Sequence, residues 1–544
     1  MDAAIVCCPA AFVGVGVVAG AGAATAVARP LAARGKHKIG WYNTAVMRQL
    51  TLPFTTAVTL KPDPVPHPFS HDGLCCEDAR LDMEIRYAHL LEETDLFSRR
   101  VVSFQANKTE TLHSWIKYRE GFSAQLVETL LAELGIQPGQ TILDPFAGSC
   151  TTLLEAKMWG IHAVGIELLP HCHLAWQVKA NAFEYNVDEL VQIRQQVQQQ
   201  TPPPTTTTFP HLTITESAFP LDTERELMAY SHWFAEQDMS ANARLLCQAI
   251  LMSLLEEVSY TRKDGQYLRW DGRAAKIKQR NEQRLQQGKD PIQGIHKGSL
   301  PTVKQAFLRH LNRVIQDVSE LQKQPPPASQ QTVLEGSALN ILPALEPDQF
   351  EGVITSPPYA NRYDYTRTYA LELAYLNVGD AIFHLRQQML SCTVENKPKL
   401  NPLQEFYSSL DREAEYIEIL NLVQTNSVLN EINQALHIRN QEGDVNNQGV
   451  LGMIDQYFTE LTFIFAELFR VCRSGAHVAI VNDNVRYAGE VIPVDFLSTN
   501  LAETLGFEPV KVYVLPQQKG NSSQQMGKFG RRPLRKSITI WRKP

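Results

Sequence analysis

Cysteine is scarce: nine in 544 residues, adjacent at Cys7/Cys8 and Cys75/Cys76, and nowhere spaced as Cys-x-x-Cys. That excludes a disulfide framework and zinc-ribbon spacings, and favours a reducing compartment. His171-Cys172-His173 concentrates metal-ligating types, but residues one and two apart on a helix point in different directions, so no metal is expected there. An excess of positive charge is also missing. Lys and Arg number 51 against 58 Asp and Glu, a net of −7, which excludes a uniformly basic nucleic-acid binder. Beyond residues 3–28 no long apolar run and no solenoid or propeller repeat occurs, so a polytopic membrane protein and a repeat array are excluded.

What is present is ordinary globular composition, 44% hydrophobic and 20% charged, in a chain long enough for one elaborated domain or several modules. Residues 1–46 stand apart. From Ala3 to Ala28 no residue is charged, and Ala, Gly and Val fill 20 of 26 positions. Three readings remain open for this extension: a start placed too early, with the true beginning near Met47; a disordered tail; or a membrane anchor. Gly richness, Pro9 and the acidic Asp2 count against the anchor, and no membrane partner is expected.

Residues 47–110 form a lead-in whose Pro62, Pro64, Pro66 and Pro68 imply an extended stretch. From 111 to 183 the pattern alternates: Ser123 reads as the N-cap of a helix, Thr141–Leu143 and His162–Ile166 as strands, and Thr151–Trp159 and His171–Phe183 as helices. This rhythm predicts an α/β fold with a doubly wound parallel sheet. Residues 184–330 interrupt it with a basic, mostly helical insertion containing a Gln- and Pro/Thr-rich linker at 195–208. The strand rhythm returns over 331–379, a second helical insertion spans 380–450, and 451–544 completes the sheet. In that last segment a helix Tyr457–Cys472 is expected to end on a Gly475 cap, and Val510–Leu515 and Ser537–Trp541 to be strands joined by a basic loop.

Two stretches carry chemistry. Asp144-Pro145-Phe146-Ala147-Gly148-Ser149-Cys150-Thr151-Thr152 joins a strand to a helix through small residues, which brings backbone N–H groups close to a ligand at the helix start. Glu167, ending the next strand, suits ribose hydroxyls. Val353-Ile354-Thr355-Ser356-Pro357-Pro358-Tyr359 ends a further strand in a rigid loop, because consecutive prolines cannot continue a ladder. Taken singly, each also fits an ordinary tight junction.

Together they resemble the S-adenosylmethionine-dependent DNA amino-methyltransferases, from about Ser103 to Trp541. Asp144–Thr152 resembles motif I (DPFxGSGTT) and Thr355–Tyr359 the SPPY form of motif IV. Trp115–Ser123 matches motif X, Glu167 motif II and Gly336-Ser337 motif III. The resemblance implies a Rossmann-like methyltransferase sheet with helical insertions and S-adenosylmethionine as cofactor, held by Phe122, Ser123, Asp144, Phe146, Gly148, Ser149, Thr151, Glu167 and Ser337. It also implies catalysis by Ser356, Pro357, Pro358 and Tyr359. The Ser356 hydroxyl and Pro357 carbonyl would accept the protons of an exocyclic amine while Tyr359 stacks on the extruded base. Serine at 356 leans towards N4 of cytosine, since the family's adenine enzymes more often carry Asp or Asn there. N6 of adenine, an RNA substrate, or a catalytically impaired DNA-binding protein are the alternatives. Cys150 departs from the pattern, which has Gly there, and a positive φ would make that costly.

The charge is polarised rather than weak. Residues 261–300 carry ten Lys or Arg against four acids, and 516–544 carry eight against none, leaving −21 elsewhere. Arg262, Lys263, Arg269, Arg362, Arg531, Arg532 and Arg535 are the candidate contacts to double-stranded DNA. Arg362 pairing locally with Asp364 is the competing reading. Target recognition is expected in the two insertions. The resemblance further implies a cytoplasmic, nucleoid-associated protein, with a cognate restriction or defence protein as possible partner.

Overall fold

The computed structural model describes residues 69–94, 96–98, 100–264, 267–515 and 527–544. The readings for residues 1–46 and for the Pro-rich 62–68 lie outside them. The strands in chain order are β1 (Leu91–Glu93), β2 (Thr141–Asp144), β3 (His162–Glu167), β4 (Thr261–Asp264), β5 (Tyr267–Trp270), β6 (Gln331–Glu335), β7 (Phe350–Thr355), β8 (Cys472–Asp483), β9 (Val485–Tyr487), β10 (Glu490–Ile492), β11 (Glu508–Val514) and β12 (Lys536–Arg542).

Eight of them form one sheet in the order β1-β11-β12-β8-β7-β2-β3-β6. All neighbours are parallel except β12, which runs antiparallel between β8 and β11. The runs Ile142-Leu143, Val353-Ile354 and Val478–Val481 are apolar without alternation because helices cover both faces. One face carries the helices Ala124–Glu133 and Thr151–Met158, packed on Ile142, Ala163, Ile354 and Ala479. The other carries the long helix Gly449–Val471 with Val494–Thr504. The order reverses at β2, with β3 on one side and β7 on the other. That is a topological switch point, where sheets of this kind open a crevice at their carboxyl ends.

The first insertion has its own core. Helices Val187–Gln199, Leu221–Glu236, Ala241–Val258 and Val303–Leu321 bury their apolar faces against one another. Val303–Leu321 shows the pattern plainly: Val303, Ala306, Phe307, Leu311, Val314 and Val318 share a stripe, and Thr302 and Gln305 close a capping box. The second insertion packs helices Leu400–Ser409, Glu413–Gln424 and Ser427–Gln441 against Gly449–Val471.

Several local expectations are corrected. The stretch 195–208 is not all linker, since Val187–Gln199 remains helical to its end. Gly475 does not cap the helix, which spans Gly449–Val471 and passes directly into β8. Gly475 has φ 84° within that strand and donates its N–H to the Lys543 carbonyl. The lead-in supplies a helix, Asp78–Tyr87, and the edge strand β1. Arg80 of that helix is fully buried between Glu431 at 2.8 Å and Glu490 at 3.1 Å, fastening the lead-in to the second insertion and to β10. Among the described residues no helix is long and apolar enough to cross a membrane.

Candidate active site

The strand ends at the switch point are held by one side chain. Asp144, fully buried at the end of β2, accepts from the Thr355 hydroxyl at 2.7 Å and the Phe146 N–H at 3.1 Å with Oδ1, and from the Thr152 hydroxyl at 2.7 Å with Oδ2. It thereby joins the turn after β2 to the loop after β7. Burial pushes its carboxyl up to about 6, although all three donors favour the charged form.

Between Asp144 and the helix Thr151–Met158 the chain turns through Gly148 (φ 53°) and Cys150 (φ 61°). Cys150 therefore occupies a left-handed conformation that costs a side chain with a β-carbon about 1–2 kcal/mol. Its thiol is fully buried, 3.7 Å from the Gly148 carbonyl, and the buried Lys179 ammonium donates to the Ser149 carbonyl at 3.1 Å. At Gly148 no side chain fits, because a β-carbon would lie 2.7 Å from Cε1 of Tyr118. Glu167 at the end of β3 accepts the Gly148 N–H at 2.7 Å and those of Leu168 and Leu169 at 2.8 and 2.7 Å. These donors take three of a carboxylate's roughly four acceptor positions, leaving about one for a ligand. Burial raises Glu167 to about 7.

A cleft opens over these elements. Of the sequence candidates, Phe122, Phe146, Gly148, Ser149, Thr151, Glu167 and Ser337 line it, and so do Ser356 and Pro358 from the loop after β7. Tyr118, Glu120, Tyr365, Met389 and Leu390 line it as well. Tyr118 and Glu120 fall within the stretch Trp115–Ser123 but carry no mark of their own in the sequence, and the second insertion's contribution has no signal there. Two candidates stand behind the wall. Asp144 lies under the floor, and Ser123 is corrected to a structural role: its hydroxyl donates to the Val101 carbonyl at 2.6 Å and accepts the Leu126 N–H as helix cap. At the rim, the Ser356 hydroxyl donates to the Tyr359 hydroxyl at 3.2 Å. Lys536, at the start of β12, reaches the same oxygen at 3.5 Å while paired with Asp483 at 3.2 Å. Burial pushes the Tyr359 phenol upwards, and the Lys536 ammonium opposes it.

The chain is similar in sequence to known DNA methyltransferases. A family model of DNA methylases, the N6/N4 methyltransferases, matches residues 87–177. The Type II methyltransferase M.BsoBI of Geobacillus stearothermophilus is 55% identical over 479 residues, covering 88% of this chain and 94% of its own length. The Type II methyltransferase M.AvaI of Nostoc sp. is 37% identical over 500 residues, covering 90% and 98%. The chain belongs to the N6/N4 DNA methyltransferases.

Methyltransferases of this family take the methyl group from S-adenosylmethionine, and the cleft fits that molecule. The turn at Gly148 brings its backbone to the cleft wall beside Tyr118; Phe146, Ile166 and Leu168 offer apolar walls to a purine, and Glu167 faces the same space.

The basic candidates of the methyltransferase separate into two groups. Arg262 and Arg269 stand directly opposite each other on the hairpin β4–β5; Arg262 is exposed, and Arg269 pairs with Asp264 while its side chain stays 61% exposed. Arg531 is exposed and Arg532 half-buried before β12. Arg362 (φ 64°) donates to Asn446 at 3.3 Å and lies over the Tyr487 ring. The competing pairing with Asp364 is not formed, because Asp364 holds Arg367 and Arg386. Lys263 and Arg535 are corrected. Lys263 points inward to Glu372 and over the Tyr369 ring, and Arg535 is clamped by Asp495 and Glu84, both at 2.6 Å, so neither is presented to a phosphate.

Proposed function

We propose that this DNA methyltransferase modifies the exocyclic N4 amine of cytosine in duplex DNA, as the modification half of a restriction system. The observation that carries the reading is the loop Ser356–Tyr359 at the rim of the cleft. When bound, S-adenosylmethionine supplies an electrophilic methyl group on a sulfonium sulfur. An exocyclic amine is a weak nucleophile because its lone pair is drawn into the ring. Ser356 spends its own proton on Tyr359, so its lone pairs are left to accept from that amine, and the Pro357 carbonyl is a second acceptor. Acceptors fixed beside a nitrogen that becomes positive stabilise the transition state without reorganising. Tyr359 offers its ring to a base swung out of the helix, and Pro358 helps hold the loop rigid. Serine, rather than Asp or Asn, at 356 supports cytosine.

Residues 111–183 and 331–379 are assigned the cofactor and catalytic segments, 451–544 the remainder of the sheet, and the insertions 184–330 and 380–450 target recognition. Arg262, Arg269, Arg362, Arg531 and Arg532 are assigned to the DNA backbone. Both M.BsoBI and M.AvaI are Type II methyltransferases, which supports a cognate nuclease as partner and a place beside the chromosome in the cytoplasm. The test is transfer of labelled methyl from S-adenosylmethionine to DNA. Ser356→Ala combined with Tyr359→Ala is expected to abolish it; undiminished transfer by that variant would remove the assignment of this loop.

A further inference from the structure

One charged group in the cleft has no role in methyl transfer as proposed. Glu120 lines the cleft beside Tyr118 and Phe122. Its two carboxylate oxygens accept from the hydroxyls of Tyr363 and Tyr369, residues that follow the Ser356–Tyr359 loop in the chain. Among the described residues no Lys or Arg forms an ion pair with it, although burial pushes its carboxyl above the ordinary range. The other carboxylates here are already engaged: Asp144 by two threonine hydroxyls and a backbone N–H beneath the floor, and Glu167 by three backbone N–H groups. The nearby Lys263 ammonium lowers it only through space, being paired with Glu372, so a carboxylate in a confined cleft, held by two neutral donors and without an ion-paired cation, is a site made for one.

The methyl donor is asymmetric in the same sense. Its nucleoside end carries hydroxyl donors, and its amino-acid end carries an α-ammonium that must keep a hydrogen-bonded counter-charge when it leaves water. Glu167 and Ser337 serve the first end. The Gly148 turn lies against the Tyr118 ring, and Glu120 is two residues beyond Tyr118. We propose that Glu120 receives the α-ammonium of the methyl donor, and that through Tyr363 and Tyr369 the same carboxylate ties that end of the cofactor to the catalytic loop. This rests on the cleft being the cofactor site. The role is one of binding and positioning, since Glu120 takes no part in the reacting bonds.

Calorimetric titration of the full chain with two ligands tests it. S-adenosylhomocysteine carries the amino-acid end, and 5′-methylthioadenosine has the same nucleoside and sulfur without it. Glu120→Gln is expected to weaken S-adenosylhomocysteine about tenfold or more, as loss of a charged hydrogen bond does, and to leave 5′-methylthioadenosine within about twofold. Retained 5′-methylthioadenosine binding also shows that the variant is folded, and Glu120→Asp gives a smaller loss for S-adenosylhomocysteine alone. Unchanged affinity for S-adenosylhomocysteine, or equal losses for both ligands, overturns the assignment. Glu167→Gln separates the two levels, because it is expected to weaken both ligands. If it weakens neither, the cleft is not the nucleoside site, and the role of Glu120 falls with it.

Discussion

The most vulnerable point of this architecture is Gly148, and substituting alanine there perturbs it in a way whose size can be worked out. The residue has φ 53°, so any β-carbon carries a left-handed penalty of about 1–2 kcal/mol. The added carbon would stand 2.7, 3.3 and 3.4 Å from Cε1, Cδ1 and Cζ of Tyr118, inside the ordinary carbon–carbon separation of about 3.5–4.0 Å. Tyr118 is backed by other rings on the side away from the cleft. Its ring stacks on Tyr369 at 5.3 Å and 19°, and Tyr369 stacks on His171 at 4.4 Å while donating to Glu120. Overpacking of this kind costs about 1–3 kcal/mol, and the ring that must move is a wall of the cofactor cleft. If about 2 kcal/mol of the total falls on the bound state, affinity drops about thirtyfold. Titration of Gly148→Ala with S-adenosylhomocysteine measures this directly. Gly443→Ala is the control, since Gly443 has φ 74° with open space around it and carries the backbone penalty without the clash. Wild-type affinity in Gly148→Ala, or an equal loss in Gly443→Ala, would show that the contact between residue 148 and Tyr118 does not govern binding.

Other outcomes follow from the same geometry. Burial lifts Glu167 from its usual 4.5 to about 7, so between those values the folded chain holds a proton that the unfolded chain has released. Its contribution to stability therefore declines as pH rises through that window, and the thermal midpoint of Glu167→Gln should depend less on pH there. Because an ionised carboxylate is the stronger acceptor for a ribose hydroxyl, affinity for S-adenosylhomocysteine should rise more steeply from pH 6 to pH 8 in the wild type than in Glu167→Gln; equal slopes would contradict this. Arg262→Ala with Arg269→Ala should lower the salt dependence of DNA binding by about one unit of slope for each phosphate no longer neutralised, while sparing cofactor binding; an unchanged slope rejects the hairpin as a backbone-binding element. Lys263→Met strands the Glu372 carboxylate, 7% exposed, and should destabilise the fold by about 3–5 kcal/mol, read from chemical denaturation. A wild-type midpoint would mean that the pair contributes little.

What the sequence disclosed and what it hid divide along a physical line. The turn Asp144–Thr152 and the loop Thr355–Tyr359 were legible because their chemistry is local: small residues and prolines dictate the backbone wherever they stand. The parallel sheet was legible through unbroken apolar runs. β1 was not, since Leu91–Glu93 has no pattern of its own and is a strand only because β11 presents an edge to it. The hairpin β4–β5 was hidden because Thr261 and Lys263 alternate inward against Arg262 and Asp264, and a buried lysine reads as surface in a charge run. Lys263 and Arg535 were misplaced for that reason, their partners Glu372, Glu84 and Asp495 lying far away in the chain. Glu120 had no local mark either, because its role depends on Tyr363 and Tyr369 more than 240 positions away.

In the proposed function the Ser356–Tyr359 loop directs methyl transfer to cytosine N4. Incubation of unmodified duplex DNA with the purified protein and S-adenosylmethionine, followed by digestion to nucleosides and mass spectrometry, tests it most directly. The expected product is N4-methylcytosine, absent when Ser356→Ala/Tyr359→Ala is used. N6-methyladenine as the product, or N4-methylcytosine formed equally by the double variant, would contradict it.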